Sequence, residues 1–215
     1  MSEYMLIPNE KVHELLAAYH IKPRGVLHIG AHTCEELPFY YEFQLSDNDI
    51  VWIDALPHLV EAAKKRGIPN VYHAVITDKD DEDVTFHVAN NGQSSSVLEF
   101  GTHSQMYPSV VYTDTLRQKS TTINSFIPKH NIDIMNCNFW NFDIQGAELL
   151  ALKGATDWLP YVDALYLEVN EKELYKKCGL IGDIDAFLKP YHFKRVITHM
   201  LECAWGDALY VRISE

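Results

Sequence analysis

The chain has 215 residues, 47% of them hydrophobic, which is enough for one compact domain with a substantial core and too short to argue for a division. No apolar run approaches the roughly 20 residues that cross a bilayer and the first residues lack a signal-peptide pattern, so a soluble, cytoplasmic protein without a membrane span is expected. A formal net charge of -12, with no basic cluster longer than Lys64-Lys65-Arg66, excludes nucleic acid as an expected partner, and four scattered cysteines with no C-x-x-C pair exclude a disulfide framework or zinc ribbon.

Residues 1–23 are expected to form a helical extension packed on the domain, because Val12, Leu15, Leu16 and Tyr19 recur at helical spacing between a candidate cap, Asn9, and Pro23. Residues 25–30 read as a buried strand entering a glycine turn, after which Thr33 and Glu36 have the spacing of a capping box. A second strand, 50–53, ends at Asp54, and Pro57 suits the start of a helix over 58–66 that Gly67 stops. Residues 71–76 are a third strand; 84–89 alternate apolar and polar residues as an added strand after the acidic turn 78–83. The stretch 90–96 is a polar loop, and no regular structure is assigned from there to about Thr122. A loop that long suits a lid or a binding wall, here over 90–111. Residues 138–144 form an apolar strand, followed by Gly146, a helix over 147–153 and a strand over 164–169. Two strands, 191–199 and 208–213, close the chain. Strands alternating with helices give a parallel sheet covered on both faces, and the closing pair with no helix between adds an antiparallel edge.

A strand ending at Gly30 and Ala31, with Asp54 closing the next strand about 20 residues on, is an arrangement that receives a nucleoside, the carboxylate accepting from the ribose hydroxyls. The other reading makes Asp54 a helix-capping acid. The residues after Gly30 lack the G-x-G-x-x-G of a pyrophosphate loop, which favours an amino-acid-bearing nucleoside over a dinucleotide. Gly30, Ala31, His32, Asp54 and Ala55 are the expected cofactor contacts. His28 and His32 have metal-like spacing but straddle a strand end and a turn, so His28 reads as a buried core histidine and His32 as a cofactor contact. Asp143 and Glu168 close strands expected to be neighbours, on the carboxyl rim where open α/β sheets bind ligands.

The run from Asn141 to Leu149 (NFDIQGAEL), followed by Leu152-Lys153-Gly154-Ala155 and Leu167-Glu168-Val169-Asn170, resembles the FkbM-type methyltransferase signature: Asp-Val-(Glu/Gln)-Gly-Ala-Glu, then Leu-Lys-Gly-Ala, then a strand ending in Glu-Val. His28-Ile29-Gly30-Ala31-His32 resembles the family's Asp-Ile-Gly-Ala-Asn, Gln93-Ser94-Ser95-Ser96 its serine-rich loop, and Thr122-Ile123-Asn124 its Thr-Leu-Asp. The resemblance spans residues 24–213, with His28, His32 and Cys34 standing where the family has Asp, Asn and Gly. It implies an α/β Rossmann-like methyltransferase fold, with a mostly parallel seven-stranded sheet, an antiparallel edge strand and helices on both faces. It also implies S-adenosylmethionine-dependent O-methylation of a sugar hydroxyl, in a polysaccharide or a glycosylated small molecule.

Methyl transfer by in-line displacement needs the acceptor oxygen fixed, its proton removed and water excluded. Asp143 is the expected base or orienting acid, with a helix-capping role near Gly146 as the alternative. Glu168, which has a purely structural alternative, and His199 are the other catalytic candidates, and Gln93, Ser94, Ser95 and Asn170 are assigned to the acceptor. Asp143, Glu168 and Asn170 are oxygen donors that a divalent cation such as magnesium could use. Trp205 and Tyr107, read as loop residues, are candidates for stacking on a sugar ring. Three competing functions are an O-methyltransferase of a non-sugar alcohol, an NAD-dependent oxidoreductase and a non-catalytic nucleoside-binding module.

Overall fold

The computed structural model describes residues 5–213; the first four residues of the expected N-terminal extension, and residues 214 and 215, lie outside them. Helix α1 (Asn9–Ala18) turns Val12 and Leu16, one helical turn apart, onto the sheet face that carries Trp52 and Phe139. Pro8 rather than Asn9 stands at its N-cap, and Asn9 Nδ2 donates to Glu42 Oε1 at 2.8 Å. Strand β1 (Val26–Ile29) is buried along its whole length, and α2 (Leu37–Glu42) follows after an irregular turn. The expected capping box does not form there, because Thr33 Oγ1 donates to Glu35 Oε2 and Glu36 is itself the N-cap residue, making no side-chain cap bond.

Strand β2 (Ile50–Asp54) leads into α3 (Pro57–Lys65), which ends before Gly67 at φ +84°. The single strand expected over 71–76 is divided at Ala74 into β3 (Val71–His73) and β4 (Val75–Ile76). After β5 (Asp83–Ala89), the segment left unassigned by the sequence holds a short helix, α4 (His103–Met106), and a ten-residue strand, β6 (Tyr112–Thr121). Strand β6 pairs antiparallel with β5 and parallel with β4, making a small sheet of order β4-β6-β5. Then come α5 (Ile123–Lys129), β7 (Phe139–Phe142), α6 (Glu148–Lys153), β8 (Ala164–Asn170), α7 (Ile181–Leu188), β9 (Phe193–Met200) and β10 (Trp205–Arg212). Helix α7 was not anticipated; Gly182 interrupts its pattern, and Ile184 and Leu188 carry its buried stripe.

The seven strands of the main sheet run in the order β3-β2-β1-β7-β8-β10-β9. The first five are parallel, and β10 alone is reversed, lying between β8 and the edge strand β9. Because β1, β2, β7 and β8 are buried on both faces, they read as near-continuous apolar runs. One face packs Leu27, Ile53, Phe142 and Leu167 under Phe126, Leu152 and Ile184; the other packs Val26, Trp52 and Phe139 under Val12, Leu16 and Phe39. The chain first proceeds outward from β1 to β2 and β3, then returns to the other side of β1 as β7. The sheet therefore has its switch point between β1 and β7, the position where α/β sheets open a crevice at the carboxyl ends of their strands. Among the described residues no helix is long and apolar enough to cross a membrane.

Candidate active site

Ile29 and Phe142 are paired across the switch point, so Gly30 and Asp143 emerge side by side. Asp143 N donates to Ile29 O at 3.0 Å, and Gly30 N donates to Ile53 O at 2.9 Å, stitching the ends of β1, β2 and β7 together. Gly30 sits at φ +92°, and a Cβ there would lie 1.8 Å from the Asp143 carbonyl oxygen. The glycine is thus demanded first by the contact between two strand ends. Two chambers open on this rim and share Gly30, His32, Gln93, Asp143 and Gln145.

The first chamber has apolar walls from Ile53, Leu56, Val75, Ile76 and Phe86, with Asp54 among them. Asp54 is buried; its Oδ2 accepts from His32 N at 2.8 Å and its Oδ1 from Leu56 N at 2.7 Å. Burial pushes its pKa up, and those two amides oppose the rise. Asp54 therefore pins the loop after β1 and the entry to α3, while facing the chamber. Ala55 also lines it, with its carbonyl taken by His73 and Gln118. His32, left-handed at φ +40°, bonds Glu35 Oε1 through Nδ1 at 2.7 Å. Burial would raise the Glu35 pKa, but hydrogen bonds from His32 and Thr33 outweigh it and hold the carboxyl at about 2, while the His32 pKa is raised by the same Glu35 bond. His28, by contrast, is held at about 4 by burial and is neutral, with Nδ1 2.7 Å from the Tyr40 hydroxyl.

The second chamber, about 320 Å³, is the more polar. Its centre is Gln145, left-handed at φ +58°, whose Nε2 donates to Asp143 Oδ1 and to Glu168 Oε2, each at 2.6 Å, and whose Oε1 accepts from the Tyr175 hydroxyl at 2.6 Å. The strands β7 and β8 are neighbours, so Asp143 and Glu168 meet and hydrogen-bond each other. Burial raises both carboxyls, and the Asp143 charge raises Glu168 further, so the two titrate as a coupled pair. Helix α6 is served by another acid: Glu148 Oε1 accepts from Ile144 N at 2.9 Å and Gly146 N at 3.3 Å, and burial lifts its pKa to about 8.

Gln93 is exposed and lines both chambers, Ser95 lines the first and Ser94 the second. The serine hydroxyls are engaged within the loop: Ser95 Oγ donates to Gly92 O, and Ser94 Oγ accepts from Asn91 Nδ2. Ser96 Oγ donates to Gln145 O at 2.9 Å and ties this loop to the central glutamine. Trp205 is the first residue of β10 rather than a loop residue; its Nε1 donates to the Tyr107 hydroxyl at 2.9 Å, and both rings line the second chamber. Three sequence candidates lie outside both chambers. Ala31 is buried in the core with Cys34, Asn170 is fully buried with both amide atoms unpartnered among the described residues, and His199 is exposed on β9. Glu36, Asp207, His103 and Tyr175, none of which sequence reasoning assigned to a site, line the second chamber.

The donor set does not suit magnesium. Asp143 and Glu168 direct oxygens at the Gln145 amide and at each other, and Asn170 is elsewhere. Among the described residues no group of three or more His, Cys, Asp or Glu is arranged to hold a metal ion.

A family model described as the methyltransferase FkbM domain matches residues 28–195. No curated protein matches the chain. Among solved structures, the chain is similar to magnesium protoporphyrin IX methyltransferase from Synechocystis PCC 6803, at 13% identity over 95% of this chain and 78% of that one, with a TM-score of 0.45. It is also similar to precorrin-6y C5,15-methyltransferase from Geobacter metallireducens GS-15, at 11% identity over 100% of this chain and 94% of that one, with a TM-score of 0.43. The seven-stranded sheet with its reversed β10 is the Rossmann-like methyltransferase fold.

Proposed function

The chain belongs to the FkbM methyltransferase family, and from that premise we propose that it is an S-adenosylmethionine-dependent O-methyltransferase acting on a hydroxyl of a sugar, in a polysaccharide or a glycoside. The observation that carries the reading is the meeting of two chambers at the switch point, one with apolar walls and a strand-end carboxylate, the other lined by carboxyls and aromatic rings. Asp54 would hold the ribose: each of its oxygens accepts one backbone N–H and keeps a lone pair for a hydroxyl. Ile53, Leu56, Val75 and Phe86 would enclose the purine, and the acidic rim at Asp143 suits the cationic methionyl end. When bound, S-adenosylmethionine supplies an electrophilic methyl group.

Asp143 stands where the chambers join, so it orients the acceptor hydroxyl and takes its proton. Gln145 and Glu168 bond that carboxyl, hold it in place and oppose the rise that burial imposes on it. Tyr107, Tyr175 and Trp205 exclude water and offer ring faces to the apolar side of a sugar. The turn after β1 has no glycine-rich phosphate cradle, which argues against a nicotinamide dinucleotide. The test is transfer from methyl-labelled S-adenosylmethionine to a panel of oligosaccharides, glycosides and simple alcohols, alongside calorimetry with S-adenosylhomocysteine and NAD. Binding of NAD but not S-adenosylhomocysteine would overturn the reading, and methylation confined to non-sugar alcohols would move the acceptor class.

A further inference from the structure

The second chamber carries an imbalance of charge that the methyl-transfer chemistry leaves unused. Five carboxyl groups line it, from Glu35, Glu36, Asp143, Glu168 and Asp207, and no lysine or arginine lines either chamber. Three are accounted for: Glu35 pairs with His32, and Asp143 and Glu168 share the Gln145 amide. Two are not. Glu36 is 8% exposed, and its Oε2 has no hydrogen-bond partner; the nearest basic group, His28 Nδ1, is 3.9 Å away in a ring that burial keeps neutral. Asp207 is 7% exposed, with Oδ2 accepting from Leu6 N and the Tyr166 hydroxyl while Oδ1 bonds nothing among the described residues. Of the two histidines that line the chamber, His32 is engaged by Glu35, and His103 is stacked on Phe100 at 4.2 Å, has an unpartnered Nδ1 and is lowered by burial, so it brings no positive charge.

A buried acid with an oxygen that receives no donor is costly unless a ligand completes it. A neutral sugar would complete Glu36 and Asp207 only as protonated acids, the form that burial favours for both, and a uronic acid or sugar phosphate would meet like charge with only His32, already paired with Glu35, to receive it. An ammonium group brings three donors and the opposite sign. Neither Glu36 nor Asp207 lines the first chamber, which would take the nucleoside. We propose that the acceptor is a cationic amino sugar, whose protonated amine is received by Glu36 and Asp207 while the hydroxyl to be methylated faces Asp143. This deepens the sugar O-methyltransferase reading and rests on it.

Calorimetry on the full chain at pH 7, with and without S-adenosylhomocysteine, would compare a glucosamine trimer, its fully N-acetylated counterpart and a galacturonate trimer. The glucosamine trimer is expected to bind at least about tenfold more tightly than either other, the scale of one charge-assisted hydrogen bond. Glu36→Gln should erase most of that preference, and Glu36→Asp, which keeps the charge, should retain part of it. Equal or tighter binding of the acetylated or acidic trimer, or no binding of the glucosamine trimer, would overturn the proposal without recourse to any variant. Failure of S-adenosylhomocysteine to bind would instead strike the methyltransferase reading, leaving the trimer comparison to be decided on the chain alone.

Discussion

Asp207→Asn isolates what it costs this fold to keep an acid beside its active site. In the folded protein the Asp207 carboxyl is pushed up to about 7 by burial, against which the Tyr166 hydroxyl and Leu6 N–H pull only partly, compared with an ordinary aspartate value of 3.8. That gap spans roughly 3 pH units at about 1.4 kcal/mol each, so the folded state favours the protonated form by roughly 4 kcal/mol more than the unfolded chain does. Between about pH 4 and pH 7 the folded state holds a proton that the unfolded state has released, so stability falls as the pH rises through that window. An asparagine keeps the oxygen that accepts from Leu6 and Tyr166 and never ionises. Urea unfolding at a series of pH values should therefore show parent and variant within about 1 kcal/mol of each other at pH 4. The variant should become the more stable by up to roughly 4 kcal/mol by pH 8. Parallel stability curves would show that Asp207 is solvated or already paired, and would remove one of the two acids on which the amino-sugar proposal stands.

Gly30→Ala should be among the most damaging single substitutions, costing more than about 3 kcal/mol in urea unfolding, because its Cβ would meet the Asp143 carbonyl oxygen at a backbone angle that disfavours alanine; a loss under about 1 kcal/mol would mean that the strand ends are less tightly joined than described. Asp143→Asn should lower methyl transfer roughly 100-fold with S-adenosylhomocysteine affinity little changed, and near-parental turnover would transfer the base role to Glu168. Asp54→Ala should weaken S-adenosylhomocysteine binding roughly 10- to 100-fold in calorimetry, equivalent to about 1 to 3 kcal/mol; unchanged affinity would leave Asp54 with only its two backbone amides. Residues 90–111 should gain hydrogen-exchange protection when cofactor and acceptor bind together, since this loop walls both chambers, and identical protection in all states would argue for a rigid wall.

The main sheet was legible because its central strands are buried on both faces and have a glycine or an acid at or near their carboxyl ends, a pattern that survives without tertiary context. Strand β6 was not: its sequence, YTDTLRQKST, is mostly polar, because it lies in a small three-stranded sheet with half of its residues exposed and only Ser120 buried. Nor could periodicity divide 71–76, where one residue, Ala74, lets the chain leave one sheet for another. The site divides along similar lines. Asp54, Asp143 and Glu168 were visible as strand-end acids. Asp207 was hidden inside an apolar strand, cross-strand from His199, so the exposed histidine on the edge strand drew attention that belonged one strand inward. Glu36 passed for half of a capping box, and Tyr175 reaches Gln145 from an irregular segment that carries no motif.

Gln145 shows how the fold holds such a concentration of acids. A left-handed glutamine costs on the order of 1 kcal/mol, and such a conformation persists only where its surroundings over-determine it. Here Ser96 holds its carbonyl, Glu148 receives the amides on either side of it at Ile144 and Gly146, and Gly146 supplies a second left-handed turn at φ +92°. What the strain secures is the direction of one side-chain amide, whose two N–H groups reach two carboxyls on adjacent strands while its oxygen accepts from Tyr175. A carboxylate in that position could still accept from Tyr175 but would repel both neighbouring acids. With the amide in place, the two acids are held side by side, and Asp143 lies at the junction where an acceptor hydroxyl would enter.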